Sequence, residues 1–169
     1  IVESPDFETK SSYSIRLQTK DSGGLTLEKV FTFSVNDLIE LATDLSISGS
    51  SFDENIEAGS AVASLNSIDP DSGDSHSYAL VAGDGDTDNS LFVVDGDQLK
   101  IVESPDFETK SSYSIRLQTK DSGGLTLEKV FTLNVNGINE APSALRASAL
   151  EFDENIAAGS AVASLSSID

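Results

Sequence analysis

A block of 32 residues, IVESPDFETKSSYSIRLQTKDSGGLTLEKVFT, occupies positions 1–32 and returns unchanged at 101–132. A second block keeps the same period: residues 51–69 and 151–169 differ only at Ser51/Glu151, Glu57/Ala157 and Asn66/Ser166. The stretches between, 33–50 and 133–150, diverge. A spacing of one hundred residues exceeds the units of about 20–50 residues that stack into solenoids and propellers. It matches the size of one small domain that folds by itself. The chain, which starts at Ile1, is expected to be a piece of a longer array. Residues 1–42 then form the C-terminal part of one repeat, 43–142 a complete repeat, and 143–169 the N-terminal part of the next.

Within each repeat the apolar residues alternate with a period of two. In SSYSIRLQTKD, Tyr13, Ile15 and Leu17 face one way and Ser14, Arg16, Gln18 and Lys20 the other. After Asp-Ser-Gly-Gly (21–24), Leu25, Leu27, Phe31, Phe33 and Val35 share a face, with Val30, Thr32 and Ser34 opposite. Two such runs joined by that turn predict a hairpin. Further strands are expected near 44–50, 60–68, 76–82, 91–95 and 98–103, and no segment carries a helical period. Seven short strands in about one hundred residues predict an all-β, immunoglobulin-like Greek-key sandwich. Tyr13, Tyr113, Phe31, Phe33 and Phe131 fall at core parity and are expected inside it.

The composition narrows function further. With 29 acidic and 10 basic residues the formal charge is −19. This argues against nucleic acid and anionic membrane surfaces, which attract Lys and Arg patches. There is no cysteine to staple the units or bind a soft metal. No apolar run approaches the roughly 18 residues of a membrane helix. His76 is the only histidine. It supports neither a histidine-rich metal site nor a nucleophile triad, and it is expected exposed at a strand start. Paired carboxylates occur in glycosidases, but here they accompany turns, and no enzyme is expected.

The acidic clusters gather at strand ends: Asp53-Glu54-Asn55, Asp69-Pro70-Asp71, Asp106-Phe107-Glu108, Asp121, and Asn136 to Glu140. Antiparallel strands sort such clusters to the two ends of a sandwich. Taken singly, each could be a solvated turn whose carboxylate accepts local backbone N–H groups. Taken together, short Asp-x-Asp and Asp-x-Glu pairs of hard oxygen donors suit six- to eight-coordinate calcium better than octahedral magnesium. A separate run, GDGDTDN (83–89), places Asp84, Asp86, Asp88 and Asp95 at positions 1, 3, 5 and 12 of an EF-hand loop. Asn89 replaces the sixth-position Gly, Asp the twelfth-position Glu, and strands flank it, so a polar connecting loop is expected.

The order of these features resembles the cadherin superfamily in its bacterial cadherin-like form. They run Glu54-Asn55 with Ala58-Gly59, then Asp69-Pro70-Asp71, then Asp106-Phe107-Glu108, then Tyr-x-Ile-x-Leu ending in Thr-Lys-Asp-Ser-Gly (119–123), then NGINEAP (136–142). The resemblance implies a cadherin-like sandwich in a tandem array, with calcium at each junction between repeats. It implies a first junction built from Asp6 and Glu8, the linker residues Asp37 and Glu40, and Asp69, Asp71 and Asp121. The second would use Glu54, Asp106 and Glu108, then Asn139 and Glu140, then Asp169. Both linkers depart from the family's Asp-x-Asn-Glu-x-Pro. DLIELA (37–42) has Ile39 for the Asn and Ala42 for the Pro, and GINEAP (137–142) has Gly137 for the Asp. Each junction thus lacks an expected oxygen ligand, and weaker cation binding with some flexibility at 37–42 follows.

The function implied is a calcium-binding, calcium-rigidified stalk of a secreted or surface-anchored adhesin. Its partners would be neighbouring repeats through calcium-bridged junctions, and beyond them cells, surfaces or glycans. The alternative is a carbohydrate-binding or spacer module of a large extracellular polysaccharide-active protein. The partial repeats cannot close a sandwich alone, so both ends are expected to be less ordered than 43–142 and prone to swapping between identical repeats.

Overall fold

The computed structural model describes residues 1–168. Twelve strands occur among them, and no α-helix. They divide into two compact units, residues 1–136 and 137–168.

The first unit contains the sandwich. One four-stranded sheet has the order β4 (Ser51–Asp53), β10 (Thr126–Asn136), β9 (Ser112–Lys120), β6 (Ser77–Leu80). The other has β3 (Asp44–Ile47), β5 (Ala61–Ile68), β8 (Gln98–Ile101), β7 (Phe92–Asp95). The seven expected strands are all present, and the first is broken in two. Its halves β3 and β4 serve opposite sheets: β3 pairs antiparallel with β5, and β4 parallel with the end of β10. Crossing over costs a short interruption at 48–50, where Ser48 N–H donates to Ser64 C=O and Asn134 N–H to Ser50 C=O.

The period-two pattern is realised in β9, where Tyr113, Ile115, Leu117 and Thr119 are buried and Ser112 and Lys120 exposed. With Leu45, Phe52, Leu65, Phe92, Leu99 and Leu133 they fill the space between the sheets. Tyr113 stacks on Phe52 at 6.1 Å and meets Phe92 edge-on at 5.3 Å, so three aromatics centre the core. Phe131 is partly buried against it.

The leading hairpin is built the same way but differently environed. Strands β1 (Ser12–Lys20) and β2 (Thr26–Ser34) pair in the register of β9 and β10, with Tyr13 opposite Phe33 as Tyr113 is opposite Leu133. The expectation that its aromatics are core residues fails here: Phe33 is 55% exposed and Phe31 38%. In the second unit, β11 (Ala144–Ala147) pairs with β12 (Leu165–Ile168) in the register of β3 and β5.

Candidate functional site

The linker 37–42 brings three separated segments together at one end of the sandwich. Glu8, from the turn before β1, Asp37, from the linker, and Asp71, after β5, each place a carboxylate oxygen within 4.8 Å of the others. Glu40 joins them through its backbone N–H, which donates to Asp71 Oδ2 at 2.8 Å. The carboxyls repel. Glu40 lies above its ordinary value through desolvation and then through Asp71, Asp37, Asp6 and Asp69. At Glu8 its own backbone N–H pulls the carboxyl down, but desolvation, Glu40, Asp6 and Asp37 together outweigh it, and it too is raised. A cluster that raises its own proton affinity is one that a cation would relieve.

Asp6 and Asp69 are occupied locally. Asp6 accepts from Thr9 N–H at 3.1 Å and from Thr9 Oγ1 at 2.8 Å, closing the turn in which Lys10 N–H donates to Asp6 C=O. Those bonds hold its carboxyl below the ordinary range. Asp69 Oδ1 accepts from Asp71 N–H at 3.0 Å and Oδ2 lies 2.9 Å from His76 Nε2.

Asp121 opens the turn after β9. Its Oδ1 accepts from Leu125 N–H at 2.8 Å, while Oδ2 is buried and, among the described residues, has no hydrogen-bond partner. A buried carboxylate oxygen left unpaired is costly unless a ligand meets it. The linker passes close by: a Cβ on Gly123 would come within 2.7 Å of Ile39 Cγ2. Ile39, which stands where the family pattern has an oxygen donor, thus lies against the Asp121 turn.

The opposite end repeats the theme. Glu54, Asp106 and Glu108 bring one oxygen each within 4.8 Å. Glu54 is only 2% exposed, and its Oε2 accepts from Phe107 N–H at 2.8 Å. Asn55 takes a positive φ of 61° so that its N–H reaches Pro105 C=O, which fixes the Glu-Asn turn against the Asp-x-Glu segment. Asn139 and Glu140 belong to the second unit, and Asp169 lies outside the described residues.

A third grouping, Asp69, Asp74 and His76, was not foreseen. The expectation of an exposed His76 is overturned: its side chain is 10% exposed and Asp69's 4%. The seven-residue separation of an Asp from the one histidine was the only available signal, and it is weak without the turn that folds them together. The 83–89 run is a connecting loop, as expected. Asp88 is bound by Lys110 Nζ at 2.7 Å and Ser114 N–H at 2.8 Å, and Asp95 by Lys100 Nζ at 2.6 Å.

These donor sets are carboxylates almost alone, which suits a hard divalent cation rather than a soft one. No protein-family model matches the sequence. The fold is close to solved structures of protocadherin gamma B7 extracellular cadherin domains 1–4 (TM-score 0.71, 20% identity, 96% of this chain and 42% of that one). It is similarly close to protocadherin gamma B2 domains 3–6 (TM-score 0.66, 21% identity, 99% and 41%). The fold is that of a cadherin extracellular domain. The cadherin likeness extends to sequence, with 28% identity over 175 residues to protocadherin Fat 4 of Mus musculus, covering 97% of this chain. Cadherin-12 of Homo sapiens is 29% identical over 130 residues, or 69% of the chain. The chain spans 4% and 16% of the lengths of these two cadherin relatives.

Proposed function

We propose that this chain is a calcium-rigidified stalk segment of a secreted or surface-anchored bacterial adhesin, with one complete repeat at 43–142 between parts of its neighbours. The reading is carried by the convergence of Glu8, Asp37 and Asp71, with Glu40 beside them, from three segments far apart in sequence. Its extracellular setting is supported by the similarity to cadherins and protocadherins. Calcium at the first junction would be held by Glu8, Asp37, Asp71 and Glu40, with the unpaired Oδ2 of Asp121 available to it. Asp6 and Asp69 would have to share oxygens already engaged by Thr9 and His76. The second junction would use Glu54, Asp106 and Glu108, then Asn139 and Glu140 of the linker, then Asp169 of the next repeat.

The cation supplies positive charge that offsets carboxylate repulsion, and so favours one arrangement of successive repeats. Extracellular sites of this class bind with Kd of about 10⁻⁴–10⁻³ M. At ~10 Kd a single site contributes about 1.4 kcal/mol, so several sites per junction are needed for a stiff rod. A carbohydrate-binding module would need an exposed aromatic platform. In the central repeat Phe52, Phe92 and Tyr113 are instead spent on the core, and the exposed Phe31 and Phe33 belong to the leading hairpin.

Calorimetric titration of calcium tests the reading. The chain should bind calcium near or below millimolar, and Asp37→Asn with Asp71→Asn should abolish the first-junction component. Absence of heat, with no rise in melting temperature, would leave the acidic turns as solvated loops.

A further inference from the structure

Strand β10 ends on Asn136, and Gly137 follows it. No other Asn in the sequence precedes a Gly. The equivalent place in the leading repeat reads Asn36-Asp37, so the two linkers differ at the residue that follows a shared Asn. An Asn-Gly pair commonly marks a hairpin turn. Here it does not, because the next strand, β11, pairs with β12 and not with β10. Residues 137–142 run without regular structure. Asn136, whose own sandwich is complete, is exposed, and so is Asn36, whose following sandwich is complete.

Asn136 closes the parallel ladder between β4 and β10. It lies opposite Asp53, and its Nδ2 donates to Asp53 Oδ1 at 3.0 Å. Its C=O accepts from Glu54 N–H at 3.1 Å. A neutral amide therefore faces a carboxylate, and that amide group alone makes the contact attractive. Glycine, with no Cβ, leaves its own backbone nitrogen the least crowded of any residue's for attack on the side chain before it.

We infer that Asn136 is a site of spontaneous deamidation, which turns the closing contact of β4 and β10 from attraction to repulsion. The Gly137 nitrogen gives up its proton and bonds to Asn136 Cγ. The Cγ–Nδ2 bond breaks, and ammonia leaves with that proton. Water then opens the five-membered imide at one of its two carbonyls. One opening leaves an ordinary aspartate; the other leaves an isoaspartyl link, in which the chain runs through the side chain. Nothing is oxidised or reduced, and water is the only co-reactant. The two hydrogen bonds hold Asn136 extended, so the reaction draws on fraying of the last residue of the strand.

Either product ends the donation to Asp53. An aspartate sets two carboxylates directly opposite each other, which destabilises a strand pair. The isoaspartyl link lengthens the backbone and displaces the carbonyl that accepts from Glu54 N–H. At the first linker the side chain of Asp37 crowds the attacking nitrogen, and Asn36 is spared. Two repeats of one fold thus age at different rates, set by a single linker residue. The inference depends on no cation, so the experiment is run in chelator.

The full chain is aged at physiological temperature in water enriched in heavy oxygen, then digested and mapped by mass spectrometry. The peptides spanning the two linkers differ in sequence and are told apart. Label should enter at Asn136, in aspartyl and isoaspartyl forms, before it enters at Asn36 or any other Asn. Gly137→Asp, which gives the second linker the Asn-Asp of the first, should lose that early label. An Asn136 that stays unlabelled, or that labels equally fast in Gly137→Asp, overturns the inference. Unaged Asn136→Asp reads the consequence for the fold. Its melting temperature should fall by a few degrees. Adding Asp53→Asn, which again sets one amide against one carboxylate, should return it. A melting temperature unmoved by Asn136→Asp, or not restored by the second change, overturns the assignment of that contact as the one lost.

Discussion

The carboxylates of this chain differ in what holds them, and pH separates them. Glu128 lies below its ordinary value of 4.5 because Arg116 and then Gln118 donate hydrogen bonds to it, Arg116 Nη2 at 2.6 Å. A depressed carboxyl contributes stability that is present above its unfolded value and is lost as pH falls through the folded one. Acid denaturation of the repeat below about pH 4.5 should therefore be shallower in Glu128→Gln, as read from melting temperature against pH. Glu8 and Glu40 carry the opposite sign. Raised in the folded chain, they favour it at low pH, and that preference is lost as pH rises from 4.5 through their raised values. At Ile39 the residue scale also predicts a gain. Ile39→Asn restores an oxygen donor beside the Asp121 turn and should tighten calcium binding by roughly tenfold, about 1.4 kcal/mol, in calorimetric titration.

At the level of strands, one sequence has two fates. Leu117 is fully buried in β9, and Leu117→Ala should cost about 2–5 kcal/mol in denaturant unfolding. Leu17, in the identical strand β1, is 53% exposed, and Leu17→Ala should change stability by less than about 0.5 kcal/mol in dilute solution. Alternation was therefore enough to find the strands and the buried face of β9, because the period of two is a property of the local chain. It was not enough to decide whether Phe33 is covered, since that depends on strands elsewhere. The same limit applies to the acidic ends. The Asp-x-Glu and Asp-x-Asp pairs were legible as acidic pairs at strand ends from residue type and spacing, while Asp37 and Glu40 entered only through the resemblance to cadherins. His76 against Asp69, Thr9 on Asp6 and Ile39 over Gly123 were not, because each needs the turn geometry that places them. The break of the first strand at 48–50 was likewise hidden, as Ser and Gly there signal a turn but not a change of sheet.

For the whole molecule, repetition at one hundred residues makes each end of the sequence a partial copy of the central sandwich's, and difference is concentrated in the linkers and the stretches after them. The divergence of DLIELA from GINEAP predicts unequal junctions. Amide exchange should slow on adding calcium at 37–42, with the change smaller than in Ile39→Asn. One further property follows from how β4 meets β10. Those strands run parallel, with Ser51 opposite Asn134, Phe52 opposite Val135 and Asp53 opposite Asn136, and they lie near the beginning and the end of the repeat. When the two ends of a repeat are pulled apart, β4 and β10 are drawn in opposite directions along their own axes. The hydrogen bonds between them are loaded together in shear instead of parting one after another. The short strand that changes sheets thus acts as a mechanical clamp, and a stalk made of such repeats would resist tension at the point where each one begins and ends.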